Sequence, residues 1–427
     1  MRFTTKFLVK IALIILAIPV LLLSYSYYSS LNQTVSKTPL VNNKSINRIS
    51  EKSNVGLNLF KNSEDRFEDM YNFNAGLKSV IKRKNKNIKL PKHEIEIWGK
   101  ASIAEYLWCH ILDANATTYA NGLLKHGEIT LQNLHIRFRS GPGIIQNTVP
   151  NTVKNLILVL NGKDELKIKF SKSWLDYLVH FKYLKNVALV VLGDEKCDND
   201  WILPYLKSRG GAVDIVFLIY DSPLIDNREF FQWPLGVATY RGFPNFKSDH
   251  LSVETERQYL CNFLGTVYKN SSREVLYKIL KESNKCFVAA RDTWVPSETY
   301  ESMERYLKIL TDSDITLNPV GQNTECYRIY EALSLGSVPI VENVLTPGQC
   351  DNKNNSPLRL LKEYNAPLIL IDNWHDLNEI LETESKLSLE MKVERRKRIV
   401  KWYENFKAKM KHRFLSIIKR YFFKEED

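Results

Sequence analysis

Short unbroken apolar runs recur through the middle of the chain, each followed by a stretch whose apolar residues return every three or four positions. The runs at 95–98, 156–160, 187–192, 213–220, 259–264, 286–290, 315–320, 338–341 and 366–371 predict strands. The periodic stretches at 101–112, 171–181, 199–207, 271–280, 297–310 and 324–335 predict helices. Strands without polar alternation are buried on both faces, so this order predicts parallel sheets covered by helices. The expected fold is α/β, with two Rossmann-like domains at 93–250 and 251–385 and a cleft between them. Basic helices at 386–427 are expected to pack back across both. No internal repeat points to a solenoid.

The first 92 residues break this pattern. Residues 11–23 are apolar without interruption, and small and aromatic residues extend the run to Tyr28, a marginal spanning length. Arg2, Lys6 and Lys10 precede it and no charge follows before Lys37, which predicts a cytoplasmic tail at 1–10 and a transmembrane signal anchor at 11–28. The remainder would then be luminal. A cleaved signal peptide is the alternative, but no alanine-bearing cleavage site follows the apolar run. Residues 29–92 are rich in Lys, Asn and Ser without periodicity and read as a flexible stem. A luminal location suits the Asn-x-Ser/Thr triplets at Asn32, Asn43, Asn115, Asn270 and Asn354. It also suits six cysteines, of which Cys326 and Cys350 make the first pair to test, with a buried Cys326 thiol as the alternative.

Charge changes the picture in one place. The net charge is +12, and residues 392–424 carry thirteen Lys or Arg against two Glu. No nucleic-acid module accompanies that run, so a basic surface helix is the better reading.

Candidate chemistry concentrates at 315–342, ITLNPVGQNTECYRIYEALSLGSVPIVE. A strand, a Gly break at Gly321 and a helix make an anion site at the helix N-terminus. Thr324, Arg328 and Glu331 share one face of that helix, opposite Cys326, Ile329, Tyr330 and Leu333. Arg328 can hold a diphosphate bidentately and Glu331 can accept a ribose diol, although an Arg and a Glu three apart are more often a solvated pair. With Gly265, Arg273, Gly321, Asn323 and Thr324 they form the predicted nucleotide-sugar set. Glu195, Asp198 and Asp221 lie just beyond strand carboxyl ends, where such sheets meet ligands, and are the candidate general bases in that order. Lys100, at a strand-to-helix junction, is the candidate for an acceptor phosphate. The triplets Asp198-Asn199-Asp200 and Asp312-Ser313-Asp314 read as charged loops, and neither is expected to hold an obligatory metal.

The 315–342 segment resembles the C-terminal motif of exostosin-like glycosyltransferases: a strand, a Gly-containing loop, R-x-x-E-A, then a small-residue turn before V-P-I-V. In that family the Arg and Glu of the motif serve the nucleotide, here Arg328 and Glu331. Further stretches narrow the resemblance: IWGKASIAEYLW (97–108), LILVLNG (156–162), CDNDW (197–201), YDSP (220–223), FQWPLGVATYR (231–241), YLCNFLGTVY (259–268), NSSR (270–273) and NTECYRIYEA (323–332). Together they resemble the xylose-transferring members that build the O-mannosyl glycan of α-dystroglycan in the Golgi. That resemblance implies a GT-B architecture and transfer of xylose from UDP-xylose to ribitol phosphate with inversion. It implies no obligatory cofactor, a single-pass type II Golgi membrane location, and company with other dystroglycan-glycan enzymes such as fukutin. Asp194 and Cys109 depart from the family's pattern. The same scaffold would also serve another UDP-sugar donor, or a luminal glycan-binding protein without turnover.

Overall fold

The computed structural model describes residues 92–281, 285–295, 297–350 and 356–425. The expected tail and anchor, the stem up to residue 91 and the Asn354 triplet lie outside them. Among the described residues no helix is long and apolar enough to cross a membrane.

Two sheets carry the fold. The first has eight strands: β1 His93–Gly99, β2 Thr117–Tyr119, β3 Leu124–Leu131, β4 Leu134–Ser140, β5 Asn155–Asn161, β6 Asn186–Leu192, β7 Ile215–Ile219 and β8 Phe230–Trp233. Their spatial order is β2-β3-β4-β1-β5-β6-β7-β8. From β4 to β8 neighbours run parallel, while β2 and β3 close one edge antiparallel. The second sheet is wholly parallel, ordered β10-β9-β11-β12-β13, with β9 Tyr259–Thr266, β10 Cys286–Arg291, β11 Ser313–Asn318, β12 Val338–Glu342 and β13 Ile369–Ile371. Every apolar run that predicted a strand became one.

β2, β3, β4 and β8 were not expected. In β4 (LHIRFRS) buried and half-buried positions alternate strictly, Leu134, Ile136 and Phe138 inward and His135, Arg137 and Arg139 outward. That period of two belongs to a one-sided sheet rather than to a doubly covered strand.

Helices fill the crossovers: α1 Glu165–Tyr177, α2 Ser272–Lys281, α3 Tyr300–Thr311, α4 Tyr327–Ser334, α5 Arg359–Glu363, α6 Leu377–Ser385 and α7 Leu389–Ile418. Three expectations are corrected. The 101–112 helix is a short α-turn running into a π-helix at Tyr106–Ile111. The 199–207 helix is a 3-10 segment with Pro204 inside it, which denies it the regular α-helical bonds. The motif helix begins at Tyr327 rather than at residue 324. Cys326 is extended there, Thr324 donates its amide to Thr346 Oγ1 and its hydroxyl to Val344 O, and Asn323 Oδ1 accepts the Glu325 amide. Side chains that hold those amides in a loop withhold them from a helix.

α7 joins the two sheets. Its Arg396 is 2% exposed and reaches Asp314 of β11, and its Phe414 packs on Phe217 and Trp233 of the first sheet. Tyr403 Oη meets Tyr106 Oη at 3.4 Å.

Candidate active site

Loops at the carboxyl ends of strands from both sheets meet at one place, where Asn323 Nδ2 donates to Glu195 O. From the first come Lys163 after β5, Glu195 after β6 and Tyr220 after β7. From the second come Gly265 in β9, Gly321 after β11, and the arginines Arg273 and Arg328 near the starts of α2 and α4.

The two guanidinium groups are the core of the candidate site. Arg328 donates Nη2 to Leu264 O and lies over the Phe263 ring, its Cζ 5.7 Å from the centroid. Arg273 donates Nη1 to Thr266 O at 3.0 Å. Beyond those bonds Arg328 Nε and Nη1 and Arg273 Nε are buried with no hydrogen-bond partner among the described residues. Burial first, and Arg328's charge second, lower the Arg273 pKa. Two mutually repelling cations with orphaned buried donors are costly in isolation, and an anion between them relieves both costs. The glycines make room: a Cβ on Gly265 would sit 2.7 Å from Arg328 Nη2, and one on Gly321 would collide with Arg273 Nη2.

Glu195 faces this pair from the first sheet. Its charge acts on Arg273, Tyr220 and Tyr327, and its Oε1 pairs with Lys163 Nζ at 2.8 Å. Its backbone carbonyl accepts Asn323 Nδ2 at 2.7 Å, tying the first sheet's loop to the motif.

Other predicted residues hold the framework instead. Asn323 and Thr324 are 7% and 2% exposed, and their polar groups are spent on the loop bonds described above. Glu331 is 4% exposed, with Oε1 accepting the Ala238 amide at 3.0 Å and Oε2 accepting Tyr306 Oη at 2.5 Å. It therefore does not lie on a solvated polar face with Arg328; one oxygen holds the segment joining the two sheets at Ala238 and the other holds Tyr306 of α3. Asp198 is exposed. Asp221 accepts Gln232 Nε2 at 2.7 Å, and burial raises its pKa; it lines a cavity of about 10 Å³ with Glu325, too small for a sugar. Lys100 is corrected too: it donates to Gly141 O and Ile144 O at 3.0 and 2.6 Å and lies over Phe170 and Trp174. Half-buried beside two rings, it braces a turn.

The expected Cys326–Cys350 pair does not form. Cys350 is bonded to Cys197, Cys261 to Cys286, and Cys109 and Cys326 are free thiols. Cys326 is turned toward Asn318 Oδ1 and the arginines, whereas Gln349 N donating to Lys196 O brings Cys350 beside Cys197.

The second Asp-x-Asp triplet offers no open carboxylate pair, whereas in the first Asp198 and Asp200 are both exposed with Asn199 buried between them. Asp312 is paired with Lys308 at 2.7 Å, Asp314 with Lys392 and Arg396, and Asn199 Oδ1 accepts the Asp194 amide. No cluster of three or more metal-ligating groups occurs among the described residues.

Residues 95–234 match the RXYLT1 N-terminal domain and residues 240–423 the RXYLT1 C-terminal domain. Ribitol-5-phosphate xylosyltransferase 1 of Danio rerio is 42% identical over 99% of this chain and 100% of its own length. Its Homo sapiens counterpart is 43% identical over 84% of this chain and 83% of its own. The chain belongs to the ribitol-5-phosphate xylosyltransferase 1 family. It is a glycosyltransferase.

Within that family setting, several site residues carried no sequence signal that singled them out. Lys163 follows β5 directly, but a lone lysine after a strand carries no pattern that distinguishes it from any other surface residue. Glu325 sits between two better-patterned residues; its Oε1 accepts the Leu235 amide and Tyr330 Oη, and burial raises its pKa to about 7. Arg241 bridges the halves by donating to Val295 O at 2.9 Å and approaching Glu298 at 3.5 Å.

Proposed function

We propose that this protein transfers xylose from UDP-xylose to a ribitol phosphate on the O-mannosyl glycan of α-dystroglycan, inverting the anomeric centre, in a GT-B arrangement. The observation that carries the donor half is the set of buried, unpartnered guanidinium nitrogens on Arg273 and Arg328. They suit a diphosphate that enters carrying negative charge and leaves carrying more, so the same donors stabilise the departing UDP. Inversion requires a base on the opposite face from the leaving group. Glu195, oriented by Lys163 across the cleft from the arginines, serves that role better than the exposed Asp198 or the enclosed Asp221. The acceptor hydroxyl loses its proton to the Glu195 carboxylate as its oxygen attacks the anomeric carbon. The bond to the β-phosphate oxygen breaks, and its electron pair stays with UDP. No metal or other cofactor enters this scheme.

The luminal, type II Golgi setting rests on the charge and hydropathy of residues 1–28. It is supported by two disulfides, which persist in oxidising compartments. Asn115 and Asn270 are exposed and available for glycan.

Arg328→Ala and Glu195→Gln test the scheme. Each guanidinium contact to a phosphate is worth about 1.5–3 kcal/mol, so Arg328→Ala should weaken UDP binding about 10- to 100-fold by calorimetry. Glu195→Gln should bind UDP-xylose normally and lose transfer. UDP affinity unchanged in the first variant, or wild-type turnover in the second, rejects the corresponding assignment.

A further inference from the structure

One face of α7 opens onto a groove. Positions 402, 405, 406, 409 and 412 recur at helical spacing, and with Tyr364 and Asn365, which follow α5, they line a groove of about 560 Å³. Its floor is aromatic. Trp402 and Phe406 stack with centroids 5.0 Å apart, Tyr364 meets Phe406 edge-on at 5.5 Å, and the Trp402 indole donates to Tyr364 O at 2.9 Å. Its rim is polar, with Asn365, Asn405 and Lys409 all exposed and Lys409 Nζ 5.6 Å from the Tyr364 ring centroid.

That composition selects a ligand class. A groove for an amphipathic helix is lined by Leu, Ile, Val or Met, and here Ala408 is the only aliphatic side chain. The half-buried Trp402 and Tyr364 rings, backed by the buried Phe406 and with amides at the rim, suit a sugar ring instead, whose C–H face packs on an aromatic ring and whose hydroxyls meet the amides. The volume accommodates more than one sugar residue.

Charge narrows it further. Lys392, Arg395, Arg396 and Lys397 are paired with Asp314, Glu384, Asp314 and Glu254. Arg398, Lys401 and Lys409 are exposed and enter no ion pair among the described residues. Glu404, on the same stretch, is spent on the amide and hydroxyl of Ser248 at 2.7 and 2.6 Å.

We infer that this groove is a second carbohydrate site, separate from the donor cleft, for a phosphate-bearing oligosaccharide. Its chemistry stands on its own lining; its use in holding the distal part of an acceptor glycan rests on the acceptor reading above.

The test is calorimetric titration of the full-length chain with a phosphorylated mannopentaose and its neutral form, with the cleft filled by saturating UDP. The phosphorylated form should bind at least fivefold tighter than the neutral one. The double variant Asn405→Ala/Lys409→Glu, at exposed positions and with unchanged melting temperature, should weaken it at least tenfold. Arg328→Ala should leave it unaltered while losing UDP, so failure of the donor assignment and failure of this one read out separately. Equal affinity for both forms, no binding, displacement by UDP, or binding indifferent to the double variant each overturns the proposal. Capture of a protein partner on this face in place of the saccharide does so too.

Discussion

Glu325 shows what burial does to a single side chain. It lies between Leu235 of the first half and Tyr330 of the second, and desolvation outweighs its two hydrogen bonds, lifting its pKa from 4.5 to about 7. Between those values the folded state holds a proton that the unfolded state has released. The stability this contributes is full below pH 4.5 and is lost as pH rises through 7. His110 acts with the opposite sign. Burial and the Lys407 and Lys247 charges depress it to about 3, so its contribution grows as pH rises from 3 towards 6.5. The two are separated by comparison with a variant. Glu325→Gln keeps an acceptor for the Leu235 amide and removes the titration. The gap in stability between variant and wild type should therefore widen in the variant's favour by about 3 kcal/mol from pH 4.5 to pH 8. Urea unfolding at a series of pH values measures it, and parallel curves for the two proteins would refute the assignment. None of this was legible in the sequence, where Glu325 sits in the polar run Gln322–Asn323–Thr324–Glu325 and looks solvated.

At the scale of elements, the strands of the parallel sheets were read correctly because doubly buried strands must be continuously apolar. The edge strands β2 and β3 carry no apolar run because none of their residues is buried. The α4 start was missed because the side chains of Asn323 and Thr324 capture amides that periodicity alone would give to a helix. The same scale explains Asp314. Its place in an Asp-x-Asp triplet suggests a metal loop, but it ends in β11 beneath α7, 4% exposed, with Arg396 at 2.6 Å and Lys392 at 3.2 Å. Breaking a buried pair strands a charge, so Asp314→Asn should cost about 3–5 kcal/mol in chemical denaturation. Loss of that size, with UDP affinity retained in the folded fraction, marks a structural role. Loss of UDP binding at unchanged stability would mark a ligand role instead.

Among the described residues, ties of several kinds hold the two halves together. Glu325 and Glu331 clamp the connecting segment at Leu235 and Ala238, Cys197–Cys350 closes a separation of 153 residues, and α7 spans both sheets. In the chain-entropy view a loop of that length makes the disulfide worth up to about 5 kcal/mol. Cys197→Ser/Cys350→Ser should lower the melting temperature by several degrees and weaken UDP binding, because Glu195 and the arginines stand on opposite sides of that bond. A variant with wild-type melting and UDP affinity would show that the bond organises nothing.

The sequence by itself determined the alternation of strands and helices and the two successive sheets, since those follow from local periodicity, and it singled out Arg273 and Arg328 as candidates from their place beside strand ends. Only the tertiary structure decided which polar groups remain unsatisfied. Asn323, Thr324, Glu331, Asp221 and Lys100 all carry functional chemistry, but each meets a partner distant in sequence that consumes its hydrogen-bonding capacity. Desolvation and partnership are set by neighbours across the fold, and a linear pattern does not contain them.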